Sequence, residues 1–131
     1  LRVGFGVARE SFIAAMERVR QPFNVNSLAQ VAALGALSDP GFVKKTRNLI
    51  LKEKRFLYQA LDELGLDYIL TVANFILIDL KKDGFTFFKQ MLKQGVIVRD
   101  MLPYGLKNYI RVTIGTHKEN TKFINVFKEV K

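Results

Sequence analysis

Apolar and polar positions follow helical spacing through the first half of the chain. Residues 10–20 place apolar side chains three or four positions apart, and residues 42–64 repeat apolar pairs every seven positions. This period lines apolar side chains along one face of an α-helix. The alanine-rich residues 28–37 also suit a helix, with Ser27 expected as its N-terminal cap. Gly65 is expected to end the longest helix, because glycine readily adopts the left-handed conformation found there.

After Gly65 the pattern changes to short apolar runs rich in β-branched residues. Such runs predict strands, and the helical pattern returns twice. The predicted elements are strands at 67–70 and 74–80, a helix at 83–94, strands at 96–98 and 110–114, and a final helix after residue 116. Thr116 and Glu119 form a T-x-x-E capping box for that helix. The order β-β-α-β-β-α predicts a two-layer α+β unit with its helices on one side of the sheet.

The pattern in the first half of the chain predicts parts of two domains. Residues 1–8 are strand-like but begin without a polar lead-in or a cap, as in the middle of a larger fold. The helix at 42–64 is longer than most globular helices, which indicates a connector between domains. A domain boundary is therefore expected near Pro40. Residues 1–40 are expected to pack poorly alone and to expose apolar surface.

The composition excludes several classes of function. The chain has 131 residues and is 49% hydrophobic, which is enough to bury a core. It has no cysteine and one histidine, His117, so a thiolate or multi-histidine metal site is not expected. His117 itself is expected to be a surface residue. No apolar run is long enough to span a bilayer and no secretory leader is recognisable, so a cytoplasmic location without a membrane partner is expected.

The net charge of +9 permits either a nucleic acid or a small anion as partner. The basic residues are spread over 44–55, 81–93 and 118–131, where they alternate with apolar residues at helical spacing. That distribution is typical of solvated helix faces. Neither an RNP-type aromatic signature nor zinc-finger spacing accompanies the basic residues, so a nucleic-acid partner is not expected.

Two arginines lie in or beside the last two predicted strands. Side chains alternate along a strand, so Arg111 is expected to face away from Ile110 and Val112. Arg99 is expected where the preceding strand ends at a loop. Two guanidinium groups can bind a carboxylate or a phosphate through paired hydrogen bonds. The alternative interpretation is two ordinary arginines on half-exposed strands.

No set of residues for covalent or acid–base catalysis accompanies these arginines. The sequence contains no Ser/His/Asp or Cys/His arrangement, no P-loop and no pair of carboxylates at a suggestive spacing. From the residues alone, the sequence therefore indicates a stand-alone anion-binding or interaction module.

Several segments, in order along nearly the whole chain, resemble a known enzyme family. They are LRVGFG at 1–6, RQPFNVN at 20–26, ANF at 73–75, VRD at 98–100, LPYGL at 102–106 and IRVTIGT at 110–116. These segments closely resemble the histidinol-phosphate aminotransferases. The ANF element recurs across pyridoxal-phosphate aminotransferases, whereas the two arginines in their strand contexts are more diagnostic of this subgroup.

The resemblance implies an α/β protein that is the C-terminal part of a homodimeric, fold type I transferase with pyridoxal 5'-phosphate as cofactor. Residues 1–40 would be the remnant of the large cofactor domain and the start of the connector. Residues 41–131 would be the long connecting helix and the small C-terminal domain. The family's Schiff-base lysine lies in an S-K-x-x-x-L-A-G-L-R motif whose last two residues match Leu1 and Arg2. That lysine is expected just upstream of Leu1, with no catalytic residue in this chain.

The resemblance also implies binding roles for four residues. Arg2 would bind the cofactor phosphate, and Arg111 would bind the anionic group of the substrate. Arg99 would be the second arginine of that site, and Asn74 is a substrate-binding candidate at the start of its strand.

The reaction that the resemblance implies converts L-histidinol phosphate and 2-oxoglutarate to imidazole acetol phosphate and L-glutamate in histidine biosynthesis. Its partners would be a small amino-phosphate substrate and a 2-oxo acid. Another pyridoxal-phosphate aminotransferase and threonine-phosphate decarboxylase are the alternatives. This chain by itself is expected to be inactive.

Overall fold

The computed structural model describes residues 1–130 and separates them into two compact units, one formed by Leu1–Lys45 and one from Thr46 onward. The helices are α1 (Glu10–Val19), α2 (Ser27–Leu37), α3 (Pro40–Glu63), α4 (Gly84–Lys93) and α5 (His117–Val130). The strands are β1 (Asp67–Ile69), β2 (Phe75–Asp79), β3 (Arg99–Asp100) and β4 (Tyr109–Thr113), with a 3₁₀ turn at Leu102–Tyr104 between the last two. Among the described residues, no helix is both long and apolar enough to cross a membrane.

The first unit contains α1, α2 and the beginning of α3. The predicted strand at 1–8 is wrong, because these residues form neither strand nor helix. A strand exists only where a neighbouring strand accepts its backbone hydrogen bonds. The sheet found in residues 1–130 consists of β1 to β4 alone, so residues 1–8 have no such neighbour there.

The N-terminal cap of α2 differs from the expected one. Ser27 is the first helical residue, and Asn26 caps the helix instead by accepting a hydrogen bond from the Ala29 backbone nitrogen at 2.8 Å. Asparagine caps helices as well as serine does, because its side-chain oxygen can reach the free N–H groups of the first turn. Either residue was therefore compatible with a helix start at this point.

The second unit has the predicted order β-β-α-β-β-α. Its sheet runs β1-β2-β4-β3, and every neighbouring pair is antiparallel. The predicted strand at 96–98 is wrong, because the ladder with β4 forms at Arg99–Asp100. The backbone nitrogen of Val96 instead donates to the Met91 oxygen at 3.0 Å, which completes the end of α4. Val98 turns its side chain into the core rather than extending the ladder.

One face of this sheet packs against the helices. Ile76 and Ile78 of β2 and Ile110 and Val112 of β4 are buried on that face. The remaining members of the same core come from all three helices and the connecting segments: Leu57, Ala60, Leu61, Leu80, Phe87, Met91, Val98, Ile114, Phe123, Ile124, Val126 and Phe127. The helices therefore share one side of the sheet, as the sequence predicts.

Helix ends in the second unit follow local sequence signals. Gly65 has a φ of 65°, and the Leu66 nitrogen donates to the Leu61 oxygen at 3.0 Å, which closes the end of α3 as expected for glycine. At the start of α5, the Thr116 nitrogen donates to the Glu119 carboxylate at 2.7 Å. The Glu119 nitrogen donates back to the Thr116 hydroxyl at 3.4 Å, which confirms the predicted capping box.

Candidate anion-binding site

The two arginines of the second unit lie directly opposite each other on adjacent strands. Arg99 of β3 is the register partner of Arg111 of β4. Side chains of directly paired residues leave the same face of a sheet. Arg111 lies between Ile110 and Val112, which are buried on the helix-covered face, so both arginines leave the other face. Arg99 begins its strand rather than ending one, and this register is what brings it to Arg111.

Arg111 is half-buried and its guanidinium lies over an aromatic ring. Its Cζ atom is 5.1 Å from the centre of the Phe75 ring. Phe75 pairs with Thr113, and Arg111 pairs with Leu77, so the ring and the arginine are diagonal neighbours across β2 and β4. A diagonal neighbour on one face is within reach of an aromatic or a long side chain.

Arg99 has an aromatic neighbour from the loop between β3 and β4. Its Nη2 atom donates a long hydrogen bond of 3.5 Å to the Tyr104 hydroxyl, and its Cζ atom is 6.0 Å from the ring centre. The 3₁₀ turn places Tyr104 there, and Gly105 closes the turn with a φ of 77° and a hydrogen bond to the Leu102 oxygen. Glycine suits this position because it adopts a positive φ without strain.

A cavity of about 490 Å³ contains both arginines. Its other lining residues are Phe85, Phe88, Ile97, Val98, Asp100, Pro103 and Thr113. Within residues 1–130, neither guanidinium forms an ion pair with a carboxylate. The nearby Asp100 carboxylate accepts from the Leu102 nitrogen at 3.0 Å and so stabilises the turn. The cavity therefore offers two cations whose N–H donors are available to a small anion.

Asn74 lies at a different cavity from the two arginines. Its backbone oxygen accepts a hydrogen bond from the Ile114 nitrogen at 2.9 Å, so its position just before β2 is well defined. Its side chain is exposed and lines a cavity of about 450 Å³ together with Arg47 and Lys54. The alternation of β2 assigns it to the face opposite Phe75.

Arg2 belongs to the first unit, where its side chain is exposed and its φ is 58°. In the part of the chain that the structure describes, Arg2 forms no ion pair with a carboxylate. An unpaired guanidinium has the charge and the planar donors that a phosphate group requires. The role of Arg2 as a ligand of the cofactor phosphate stays a prediction.

The structure also contains a buried polar cluster that was not predicted from the sequence. Glu53 of α3 is 1% exposed, and its Oε2 atom accepts a hydrogen bond from the Asn120 amide at 3.0 Å. The same oxygen lies 3.2 Å from Nδ1 of His117. His117 was expected to be a plain surface residue; its side chain is 63% exposed, but its ring also packs on Phe56 at 4.7 Å. Glu53 lies four residues before Leu57 on the apolar face of α3, and that spacing was the sequence signal that could have predicted its burial.

The second unit is an antiparallel α+β unit with two arginines in one cavity, an arrangement whose chemistry suits a small anion. Comparison with known proteins identifies the family: the model of the aminotransferase class I and II family matches residues 1–127. This chain belongs to that family. The expected fold class, a piece of a fold type I transferase, is therefore confirmed.

A relative and two solved structures show how far the similarity extends. The histidinol-phosphate aminotransferase of Moorella thermoacetica is 47% identical over 130 residues, which are 99% of this chain and 34% of the relative. The histidinol-phosphate aminotransferase of Clostridium acetobutylicum superposes with a TM-score of 0.80 at 27% identity, covering 92% of this chain and 37% of that one. The Sinorhizobium meliloti enzyme of the same name, in complex with pyridoxal-5'-phosphate, has the same fold with a TM-score of 0.75 at 21% identity, covering 92% and 34%. This chain spans about a third of the length of the curated relatives it matches.

Proposed function

We propose that this chain is the C-terminal part of a pyridoxal 5'-phosphate-dependent aminotransferase of histidine biosynthesis. The proposed enzyme transfers the amino group of L-histidinol phosphate to 2-oxoglutarate, which yields imidazole acetol phosphate and L-glutamate. The observation that carries this proposal is the 47% identity, over 99% of this chain, to a relative named histidinol-phosphate aminotransferase. The arginine pair in one cavity supports it, because the amino donor carries a phosphate and the acceptor carries carboxylates.

The residues of this chain supply binding rather than proton transfer in the proposed enzyme. Arg111 and Arg99 bind the anionic group of the substrate. Asn74, which lines a separate cavity at the start of β2, is the remaining substrate-binding candidate. Arg2 binds the cofactor phosphate. The cofactor ring, when bound, supplies the electron sink for the chemistry at the amino-bearing carbon. The lysine that reacts with the cofactor belongs to a segment outside this chain.

The proposed domain division follows the same assignment. Residues 1–40 belong to the large cofactor domain, and residues 41–131 form the connecting helix and the small domain. The compact units at Leu1–Lys45 and from Thr46 onward support two bodies, and α3 contributes residues to both. The proposed enzyme is a homodimer without a nucleic-acid or membrane partner, and it acts in the cytoplasm.

The test is amino transfer by a polypeptide that joins this chain to the remaining segments of its relatives. Arg99→Lys and Arg111→Lys should each lower kcat/KM for L-histidinol phosphate, because lysine retains the charge but loses the planar pair of donors. Charged hydrogen bonds contribute about 1.5–3 kcal/mol, which corresponds to a loss of about tenfold to a hundredfold. Cofactor absorbance should be unchanged.

Arg55→Lys is the matched control, since Arg55 is an exposed arginine of α3 that lines another surface depression. L-Histidinol without its phosphate should react poorly and lose little further on either site substitution. If both site variants retain kcat/KM within about twofold, the two arginines are ordinary surface residues. Loss of CO₂ from L-threonine O-3-phosphate without amino transfer would assign the decarboxylase alternative instead.

A further inference from the structure

Within residues 1–130, Phe75 lies on the face of the sheet opposite the hydrophobic core. It is half-buried, and it does not belong to the hydrophobic core or to the partly buried residues packed against that core. Its neighbours Ile76 and Ile78 supply the core on the opposite side of β2. Its ring contacts the Arg111 guanidinium, whose Cζ atom lies 5.1 Å from the ring centre.

An aromatic ring restrains a guanidinium differently from a carboxylate. The ring attracts the cation through its negative face and leaves the N–H donors at the guanidinium edge unoccupied. A carboxylate would use those donors in paired hydrogen bonds. Within residues 1–130 Arg111 forms no ion pair, so the Phe75 contact orients the cation without consuming its hydrogen-bonding capacity.

We propose that Phe75 is a positioning residue for Arg111, whose guanidinium it holds ready for a phosphate or carboxylate in the cavity shared with Arg99. This inference deepens the proposed function and rests on it for the identity of the substrate. Holding a flexible arginine in its binding orientation before the ligand arrives lowers the entropic cost of binding. Phe75 is better suited to position an arginine than Tyr104 is, because the Tyr104 ring is exposed and lies farther from Arg99, at 6.0 Å.

The direct test uses the 131-residue chain and inorganic phosphate. The Nε–Hε resonance of Arg111, followed by NMR, reports both the ring-current shift from Phe75 and the binding of phosphate. Phe75→Leu should abolish that shift and weaken phosphate binding by about two- to fivefold, the range that a solvent-accessible cation–π contact supplies. Phe75→Tyr should restore both, because it keeps the ring. Phe75→Met, which retains volume without a ring, repeats the test if Phe75→Leu unfolds.

Phe56→Leu is the matched control, since Phe56 is another half-buried phenylalanine in an aromatic contact, with the His117 ring. It should leave the Arg111 resonance and phosphate binding unchanged. Equal weakening by Phe56→Leu and Phe75→Leu would reduce the effect to general loosening and overturn the proposal. So would an unchanged Arg111 resonance and unchanged binding in Phe75→Leu, or no phosphate binding by the unsubstituted chain.

A second measurement separates this inference from the proposed function. In the longer polypeptide, Phe75→Leu should raise KM for the phosphate-bearing substrate more than it lowers kcat, because it disturbs binding of the anion. If that polypeptide transfers no amino group while phosphate binding still depends on Phe75, the proposed function fails and the positioning role stands. If Arg111→Lys abolishes phosphate binding and Phe75→Leu leaves both the Arg111 resonance and phosphate binding unchanged, the positioning role alone fails.

Discussion

The two units of this chain carry similar apolar patterns but bury them to different extents. In Leu1–Lys45, Ala29 is the buried residue, and the apolar side chains Phe12 and Phe23 are 65% and 99% exposed. In the unit from Thr46 onward, Phe87 and Phe127 are each 1% exposed within a continuous core. An amphipathic pattern thus indicates which face of a helix is suited to packing against another element. Only the fold decides whether such an element covers that face. The predictions below test this contrast between the units.

Limited proteolysis should show the largest difference. Trypsin is expected to cleave after Arg9 and Arg18 at least about a hundredfold faster than after Lys93 and Lys122, since cleavage follows the population of locally opened chain. Mass spectrometry of the first fragments measures this directly. Equal resistance of residues 1–20 and 66–130 would mean that the first unit is as stable as the second.

Removing one core ring should give the next largest effect. Phe127→Ala is expected to lower the free energy of unfolding by about 3–5 kcal/mol, because it leaves a cavity beside Phe87 and Phe123, whose rings contact it. Phe12→Ala is the counterpart in α1 and should change the unfolding free energy by less than about 0.5 kcal/mol. Urea titrations followed by circular dichroism compare the two. A large loss for Phe12→Ala would show that its exposed ring packs in solution.

The buried polar cluster should be sensitive to loss of a single amide. Asn120 donates to Glu53 and also bonds both the nitrogen and the oxygen of Gly115. Asn120→Ala is therefore expected to cost about 1–3 kcal/mol, because it leaves buried polar groups without partners. Asn125→Ala on the exposed side of α5 has the same helix-propensity change and should be nearly neutral. Similar losses for both variants would contradict a structural role of the cluster.

Two helix caps should have the smallest effect on stability, which should be measurable as a pH dependence of the melting midpoint. Hydrogen bonds from Thr86 hold the pKa of Asp83 below its ordinary value, and hydrogen bonds from Thr116 do the same for Glu119. A carboxyl group whose pKa is lowered by folding stabilises the fold above its unfolded pKa, and that contribution is lost as the pH falls through the folded pKa. The caps should therefore contribute fully above the ordinary glutamate pKa of 4.5 and progressively less below it.

The measurement is the melting midpoint of the Asp83→Asn, Glu119→Gln double variant between about pH 6 and pH 3. Asparagine retains a side-chain oxygen for the cap but does not titrate, so the midpoint of the variant should fall less steeply with acidification. An identical slope for variant and unsubstituted chain would show that other carboxyl groups control the acid transition.

Signals within a few residues were enough to predict most elements. The spacing of apolar residues predicted four of the five helices, and the alanine-rich composition of residues 28–37 predicted the fifth. Gly65 and the Thr116–Glu119 box marked two helix ends correctly. The prediction of a strand at residues 1–8 was wrong, because local signals are not sufficient to form a strand. A strand depends on a neighbour that is distant in sequence, and apolar β-branched residues indicate only that a strand would be compatible there.

The sequence by itself determined that Arg111 faces away from the apolar layer, because strand alternation is a local property. The tertiary structure alone decided the register that pairs Arg99 with Arg111 and brings Phe75 under the same guanidinium. It also decided that Glu53 meets His117 and Asn120, which lie 64 and 67 residues away along the chain. Register and long-range pairing depend on the summed packing of whole strands and helices, so no short segment specifies them.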